Sequence, residues 1–385
     1  MHTAQRTQTF TESVIRGMTR LALKHDAINL AQGFPDFPAP EVIKEAARLA
    51  IRQDKNQYAI TWGAKTLRDA LAQRYGDWYG MAVDPETEVT ITCGATEAMA
   101  TTLMSIVDPG DEVIVFEPYY ENYGPDAILC DAQPVYVPLP VTGQIDLDRL
   151  AAAFSERTRA IIVNTPNNPT GRVFTREELQ GIADLCRKYD AYAVTDEIYE
   201  HICYKGRHIP MATLPGMRLR TITISGASKT FSVTGWRVGS IVAPAEITAA
   251  IRKVHDFLTV GAPAPLQEGV AVGLEMLGPE YYDNLADEYR ERRNMLCRGL
   301  LDAGFKLEPP QGSYYVLADF SGISEKSDDE FAAWLTGEVG VAPVPGSSFF
   351  NDPEQGRTLV RFAFCKKLET LREAVNRLRA MGLGR

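Results

Sequence analysis

The sequence predicts an α/β fold in which helices cover both faces of a mostly parallel sheet. Up to about residue 279, short apolar and β-branched runs alternate with helical patterns, and turn residues bound most of the runs. Such runs are typical of strands that are buried on both faces of a parallel sheet. With 385 residues, the chain is long enough for a large core and for more than one domain.

Five segments have the character of buried strands. They are 111–116, 159–165, 191–197, 220–226 and 239–244. Segment 175–190 is predicted to be a helix, because the capping box Thr175-x-x-Glu178 precedes apolar residues at helical spacing. The alternation of strands with helices indicates a sheet that is covered on both sides.

The pattern changes near residue 279. One long charged helix is predicted for 279–304, and 312–320 and 358–364 are strand-like, which together indicate a smaller α+β domain. The predicted division is an N-terminal arm and part of the small domain in 1–45, a large domain in 46–280, and a small C-terminal domain in 281–385.

Composition argues against several classes of partner. Forty basic and fifty acidic side chains give a net charge of −10, and the sequence has no block of basic residues. This argues against a nucleic acid or an anionic membrane as partner. No apolar run approaches the ~20 residues that span a bilayer, and the polar start is not expected to be a signal peptide. The six cysteines form no CxxC pair and the five histidines have no metal-site spacing. We therefore expect a cytoplasmic protein with reduced thiols and no metal.

Small or polar residues follow several of these strands, at the edge where open α/β folds bind ligands. After the strand-like 89–92, segment 93–100 (CGATEAMA) opens a helix, so the backbone N–H groups of Ala95 and Thr96 form a potential anion site. An ordinary helix start explains that segment equally well. Segment 164–171 (NTPNNPTG) combines two prolines that fix the backbone with asparagines that offer directed donors and acceptors, which favours a functional loop over a plain turn.

A carboxylate ends the most apolar strand of the chain. Asp196, in TDEIY, is expected at the edge of a dry interior, where a carboxylate is costly unless a cation or hydrogen-bond donors meet it. An N-cap is the alternative role. A cationic ring nitrogen in a bound cofactor would explain the carboxylate.

Segment 225–239 (SGASKTFSVTGWRVG) contributes an amine and a second cation. Lys229 in a partly dry pocket would have a lowered pKa and could form a Schiff base with a carbonyl. Arg237 could bind a phosphate through two hydrogen bonds, assisted by the hydroxyls of Ser225 and Ser228. An amine for an aldehyde, a carboxylate for a pyridinium, a phosphate cradle and polar asparagines are together what pyridoxal 5′-phosphate requires.

With these motifs in this order, the chain resembles a fold-type-I pyridoxal-phosphate aminotransferase of class I/II over nearly all of its length. That resemblance implies a large domain with a mostly parallel seven-stranded sheet. Five further segments resemble most the branch of kynurenine aminotransferase, glutamine transaminase K and bacterial methionine aminotransferase, which acts on aromatic and sulfur-containing amino acids. They are 28–40, 56–71, 251–267, 311–320 and 360–367.

The resemblance also implies roles around the cofactor ring. Lys229 would be the Schiff-base lysine and would then move the proton between the substrate Cα and C4′. Asp196 would hold the pyridine nitrogen protonated, Tyr199 and Asn168 would hydrogen-bond the ring oxygen, and Tyr120 would stack on the ring.

The same resemblance assigns the ends of the ligands. The residues implied to hold the phosphate are Ala95, Thr96, Ser228 and Arg237. Tyr58 would reach the phosphate of the neighbouring subunit, which implies a homodimer with shared sites, and Arg361 would bind the substrate α-carboxylate beside Gly33 and Asn168. Many relatives have Ser where this chain has Gly226, which puts one phosphate hydrogen bond in doubt, and Ser225 is a candidate to replace it.

The implied function is transfer of an amino group from an L-amino acid of the aromatic, methionine, glutamine or kynurenine type to a 2-oxo acid, by a ping-pong mechanism. The alternatives are aspartate-like specificity and β-elimination from cysteine conjugates. No arginine in the sequence can be assigned to a second substrate carboxylate, which favours an apolar or aromatic pocket. For Tyr123 two roles stay open, as a core residue or as part of that side-chain pocket.

Overall fold

The computed structural model describes residues 3–382, which form α-helices, β-strands and several shorter helical turns. The helices are α1 Val14–Lys24, α2 Glu41–Arg52, α3 Lys65–Tyr79, α4 Gly94–Ile106, α5 Tyr123–Leu129, α6 Leu147–Ala153, α7 Arg176–Tyr189, α8 Ala227–Thr230, α9 Ala245–Leu258, α10 Ala264–Met276, α11 Pro279–Asp302, α12 Asp328–Trp334 and α13 Leu368–Gly382. The strands are β1 Ile28–Asn29, β2 Val89–Thr92, β3 Glu112–Glu117, β4 Gln133–Pro138, β5 Thr158–Asn164, β6 Tyr192–Asp196, β7 Thr221–Gly226, β8 Gly239–Val242, β9 Tyr315–Asp319, β10 Val341–Ala342, β11 Val344–Pro345 and β12 Leu359–Ala363.

The central sheet has seven strands in the order β2-β8-β7-β6-β5-β3-β4. The neighbours from β7 to β4 are parallel, whereas β8 is antiparallel to both β2 and β7. The predicted α/β class with a mostly parallel seven-stranded sheet is confirmed. The five predicted buried strands are present, and their ends differ from the predicted ends by at most two residues.

Register within this sheet places the ends of the strands side by side. Asn164 is the Cα partner of Asp196 across β5 and β6, and Asp196 is the partner of Ile224 across β6 and β7. Because these strands are parallel, the segments that follow them leave the same edge of the sheet.

The predicted capping box is present at the start of α7. The Thr175 side chain accepts from the Glu178 backbone N–H, and the Glu178 side chain accepts from the Thr175 backbone N–H. Reciprocal capping satisfies two backbone donors that a helix start leaves free, and it fixes where α7 begins.

The ends of the chain share one hydrophobic core. Ile15, Met18 and Leu30 pack in the same cluster as Leu296 and Phe362. This core also covers a three-stranded antiparallel sheet of order β11-β12-β9, and β1 pairs with β10 in parallel. The residue boundaries of the arm, the large domain and the small domain stay a prediction. No helix within residues 3–382 has both the length and the apolar character that crossing a membrane requires.

Candidate active site

A cavity of about 630 Å³ lies where β5, β6 and β7 end. Most of the site residues predicted from the sequence line this cavity. They are Gly33, Ala95, Thr96, Tyr120, Asn168, Asp196, Tyr199, Ser228, Lys229 and Arg237. The cavity therefore brings together groups that are up to 204 positions apart in the chain, Gly33 and Arg237 being the extremes.

Asp196, the last residue of β6, is a buried carboxylate that faces the cavity. Its side chain accepts a hydrogen bond from the Tyr123 hydroxyl at 2.7 Å and one from the Ile198 backbone N–H at 3.3 Å. Burial raises the pKa of Asp196, although both hydrogen bonds and the Lys229 ammonium act in the opposite direction. The structure thus gives Tyr123 a role that the sequence left open, as a donor to Asp196, while the tyrosine also lines the cavity.

Asn168 links the cavity to a buried arginine. The Asn168 backbone N–H donates to the side chain of Asn164 at 2.7 Å, which holds the loop after β5 in place. The Asn168 side-chain oxygen accepts from Arg361 Nη1 at 2.7 Å, and Arg361 Nη2 donates to the Ala31 carbonyl at 2.7 Å. Arg361 is fully buried on β12, and its guanidinium carbon lies 4.2 Å from the ring centroid of Tyr315. It lies behind Asn168, outside the immediate lining of the cavity.

Arg361 retains unused hydrogen-bonding capacity. Its Nε is buried and has no hydrogen-bond partner among residues 3–382. A buried guanidinium with a free donor is costly unless an anion compensates it. The arrangement therefore suits a carboxylate ligand.

Lys229 lies on α8, directly after β7. Its Nζ donates to the Gly33 carbonyl at 3.2 Å and lies 5.6 Å from the ring centroid of Tyr314. Burial lowers the pKa of Lys229 to about 8, because the charged amine loses hydration that these neighbours replace only in part. A pKa of about 8 leaves roughly a tenth of the amine neutral and nucleophilic at pH 7, far more than an ordinary lysine would have.

The start of α4 and Arg237 form a potential anion cradle. Arg237 has a left-handed backbone with φ of 53°, and its guanidinium donates to the Thr234 carbonyl at 3.2 Å and to the Cys93 carbonyl at 3.3 Å. A Cβ added to Gly94 would lie 2.3 Å from Arg237 Nη2, and one added to Gly239 would lie 2.4 Å from the Gly94 carbonyl carbon. Both glycines are needed for this close approach of a cation to a helix N-terminus, where backbone N–H groups favour a phosphate.

The predicted contribution of Ser225 to this cradle is wrong. Ser225 does not line the cavity, and its hydroxyl donates to Glu200 at 2.7 Å on the other side of β7. Successive strand residues point to opposite faces, so Ser225 cannot share the cavity side. A Cβ on Gly226 would lie only 2.9 Å from the Val238 carbonyl oxygen, so the backbone packing favours glycine at this position.

Three tyrosines complete the description of the predicted site. Tyr120 lines the cavity with its ring centroid 5.7 Å from that of Tyr123, and the buried Tyr199 hydroxyl lies 3.4 Å from the Tyr315 hydroxyl. Tyr58 lies outside the cavity and is 85% exposed. Its predicted contact to a neighbouring subunit stays a prediction.

The mouth of the cavity contains residues that the sequence did not single out. Arg16, Gln32 and Glu121 line it together with Ser13. Ser13, Arg16 and Gln32 do not follow a strand of the central sheet, and Glu121, which follows β3 beside Tyr120, has no motif character of its own, so no local signal identified these residues.

The residues present fit pyridoxal phosphate. A neutralisable lysine, a buried carboxylate and a glycine-dependent anion cradle converge on one cavity at the carboxyl edge of the sheet. Within residues 3–382 there is no group of three His, Cys, Asp or Glu side chains that could hold a metal ion. The arrangement is that of a pyridoxal-phosphate enzyme.

Residues 25–378 match the family Aminotransferase class I and II, and the chain belongs to this family of transaminases. The probable N-succinyldiaminopimelate aminotransferase of Mycobacterium tuberculosis is 40% identical over 389 residues, covering 98% of each chain. The methionine aminotransferase of Escherichia coli is 39% identical over 371 residues, covering 96% of each chain. The solved structure of the N-succinyldiaminopimelate aminotransferase from M. tuberculosis superposes with a TM-score of 0.96 at 39% identity, covering 99% of this chain and 100% of that one.

Proposed function

We propose that this aminotransferase binds pyridoxal phosphate in the cavity, with Lys229 as its covalent anchor. The observation that carries the proposal is the convergence of Lys229, Asp196 and the Arg237 cradle on one cavity. When bound, the cofactor supplies an electrophilic carbon for the amino group and a ring that accepts electrons. Lys229 would hold the cofactor through its amine and would move the proton between the substrate Cα and C4′ of the cofactor.

The other residues around the cavity hold and tune the ring. Asp196 keeps the ring nitrogen protonated, and its bond from Tyr123 fixes the carboxylate in the orientation that this role needs. Tyr199 and Asn168 would hydrogen-bond the ring oxygen, and Tyr120 would stack on the ring face.

The cofactor phosphate would be held at the end of the cavity formed by the start of α4. Its ligands would be Ala95 and Thr96 of that helix, together with Ser228 and Arg237. A helix N-terminus and a guanidinium are both suited to a dianion, since one supplies backbone donors and the other a paired donor.

The substrate is bound through its α-carboxylate by Arg361, with Gly33 and Asn168 beside it. Arg361 is held rigid by Asn168 and Ala31 and retains a free Nε donor. Rigid placement limits the side-chain entropy that binding would otherwise cost.

Donor choice is proposed to favour methionine, aromatic amino acids, glutamine or kynurenine over aspartate. The support is the apolar part of the lining, which includes Ile15, Phe34 and Met99, and the 39% identity to a methionine aminotransferase. Aspartate-like specificity and β-elimination from cysteine conjugates are the alternatives. N-succinyldiaminopimelate belongs in the donor panel because the chain is 40% identical to the probable N-succinyldiaminopimelate aminotransferase of M. tuberculosis.

A donor panel followed by the absorbance change of the bound cofactor tests this function. Several apolar donors should react, because a methylene-sized difference in an apolar pocket changes discrimination by only ~1–3 kcal/mol. An enzyme that prefers aspartate by more than about a hundredfold, or ~2.7 kcal/mol, would contradict the donor proposal. Absence of any absorbance change with every amino acid would contradict the function itself.

The active unit is proposed to be a homodimer in which Tyr58 completes the phosphate site of the neighbouring subunit. Its high exposure in the single chain is consistent with burial against a second copy. Mixed dimers of Lys229→Ala and Tyr58→Ala chains would have one site with all its groups if Tyr58 acts across the interface. Mixing should then raise activity above that of either variant alone, and no gain after verified subunit exchange would refute sharing.

A further inference from the structure

A carboxylate lies at the start of α4, the helix proposed to hold the cofactor phosphate. Glu97 is in the first turn of α4 and lines the cavity. Its Oε2 accepts a hydrogen bond from the Cys93 backbone N–H at 2.5 Å, and the Cys93 carbonyl accepts from Arg237 at 3.3 Å. Glu97 thereby holds the residue before α4 in place, but a carboxylate here would repel a phosphate dianion unless its charge is compensated.

His255, which is fully buried near the end of α9, is the partner of this carboxylate. Its Nδ1 lies 2.6 Å from Glu97 Oε1, and its Nε2 lies 2.8 Å from the Thr61 carbonyl oxygen. Within residues 3–382, no other basic side chain has a nitrogen within 4.0 Å of the Glu97 carboxylate. Compensation of Glu97 therefore depends on His255.

The two neighbours of the His255 imidazole determine where its protons lie. A carbonyl oxygen only accepts, so Nε2 must carry a proton in order to contact Thr61. Nδ1 faces a carboxylate oxygen, so a second proton lies between His255 and Glu97, and the pair has no net charge whichever of the two carries it.

The pKa shifts of the two groups agree with this arrangement. Burial by itself would lower the pKa of His255, but its hydrogen bond to Glu97 outweighs burial and raises that pKa. Burial by itself would raise the pKa of Glu97, but the hydrogen bonds from His255 and from the Cys93 backbone outweigh it and lower that pKa. Both shifts stabilise a proton on His255 beside an ionised Glu97.

We propose that His255 is a positioning residue for the phosphate cradle, which cancels the charge of Glu97 next to the bound phosphate. The inference rests on the proposed binding of pyridoxal phosphate. Glu97 can then hold the Cys93 backbone while the first N–H groups of α4 stay available to the phosphate. Without the imidazole, the carboxylate would oppose the attraction that Arg237 and the helix N-terminus exert on the same dianion.

The affinities for pyridoxal phosphate and for pyridoxal test the assignment, because the two ligands share the ring and the aldehyde and differ in the phosphate. In His255→Gln, the dissociation constant for pyridoxal phosphate should rise by about tenfold, since a like charge is left beside a dianion in a partly buried site. The dissociation constant for pyridoxal should stay nearly unchanged. Titration of the full-length, cofactor-free protein, followed by ligand absorbance, gives both constants.

Removal of the carboxylate should reverse the loss. In Glu97→Gln/His255→Gln, the amide oxygen can still accept from Cys93 and no charge is left to compensate, so the affinity for pyridoxal phosphate should return close to that of the wild type. A double variant as weak as His255→Gln would overturn the proposal, because displacement of Thr61 or lost packing would then explain the data. No loss in His255→Gln, or an equal loss for both ligands, would also overturn it.

His208→Gln is the matched control. His208 is a buried histidine that lies 2.6 Å from the buried Glu197 carboxylate, and neither residue lines the cavity. This variant removes the same type of pair, but it should leave the ratio of the two dissociation constants unchanged. A change as large as that in His255→Gln would contradict the assignment, because loss of any buried pair would then have the same effect.

Calorimetry with inorganic phosphate separates this inference from the proposed function, since phosphate binding needs neither the aldehyde nor Lys229. Phosphate should bind more weakly to His255→Gln than to the wild type, and the double variant should restore its affinity. This pattern in a protein that fails to bind pyridoxal phosphate would refute the proposed function alone. Phosphate affinity that is equal in the wild type and in His255→Gln, or absent from both, would refute the role of His255.

Discussion

Asp196 and Glu197 are adjacent buried carboxylates that lie in two different environments. Asp196 faces the cavity, and within residues 3–382 its side chain receives hydrogen bonds only from Tyr123 and a backbone N–H. Glu197 is paired with the buried His208 at 2.6 Å. One carboxylate has its cation within the fold, whereas the other has no cationic side chain within 4.0 Å among residues 3–382.

The difference separates a structural from a functional acid. Burial by itself would lower the pKa of His208, but the Glu197 carboxylate and its hydrogen bond outweigh burial and raise that pKa. The Glu197 carboxylate thus has its hydrogen-bond partner within the fold and needs no ligand. Asp196 instead has a raised pKa and an open side towards the cavity, which suits a cation that arrives with a cofactor.

The largest effect on the cavity side is expected for Lys229→Ala. Turnover should fall by roughly 10³-fold or more, because the variant loses both the nucleophile and the group that moves the proton. Single-turnover rates and the absorbance of retained cofactor measure the two losses separately. Cofactor should remain bound in part through the Arg237 cradle, and a variant with near-normal turnover would contradict the assignment.

Asp196→Ala should have the next largest effect. The rate of the half-reaction should fall by about 10²- to 10³-fold, because the carboxylate matters most where negative charge develops on the ring. Cofactor affinity should fall much less. Single turnover measures the rate and equilibrium titration measures the cofactor affinity. Equal losses in both would show that Asp196 only contributes to cofactor binding or acts as an N-cap.

Arg361→Lys should weaken all donors alike, by about 10- to 100-fold in kcat/KM, since a point charge replaces a paired hydrogen-bonding group. The donor panel provides the measurement. A loss confined to one class of donor would place Arg361 at the side chain of the substrate and not at the α-carboxylate.

The smallest effect on activity is expected for a change of His208, which pairs with Glu197 outside the cavity lining. His208→Gln should lower the free energy of unfolding by about 1–3 kcal/mol at pH 6 and change kcat/KM less than about twofold. The folded-state pKa of His208 lies above its unfolded value of ~6.5, so the stabilisation is fully present below that value and is lost as the pH rises through the folded-state pKa.

Urea unfolding of wild type and variant at pH 6 and at pH 9 measures this difference. The gap between the two proteins should be larger at pH 6. A difference in free energy of unfolding that grows with pH would show that His208 is neutral in the folded protein. A large loss of activity in His208→Gln would show that the Glu197–His208 pair is not merely structural.

Local sequence patterns were enough to predict the residues on the cavity side of the sheet edge. Asp196 and Lys229 each follow an apolar strand, and parallel strands carry their ends to one edge. Ser225 was misplaced because the alternation of faces along β7 directs it towards Glu200.

The mouth of the cavity could not be predicted in the same way. The Ser13 contact to Glu121 joins positions 108 residues apart, and the Arg361 contact to Asn168 joins positions 193 residues apart. Such contacts depend on tertiary packing and have no local periodicity. Arg361 was therefore assigned only through family resemblance, and Arg16 was missed.

The most direct test of the central claim is borohydride reduction of the pyridoxal-phosphate-loaded protein, followed by tryptic mass mapping. The account predicts a reduced cofactor adduct on the peptide that contains Lys229, and no adduct in Lys229→Ala. An adduct on another lysine, or no adduct in protein that retains the cofactor, would contradict the assignment of this cavity as the active site.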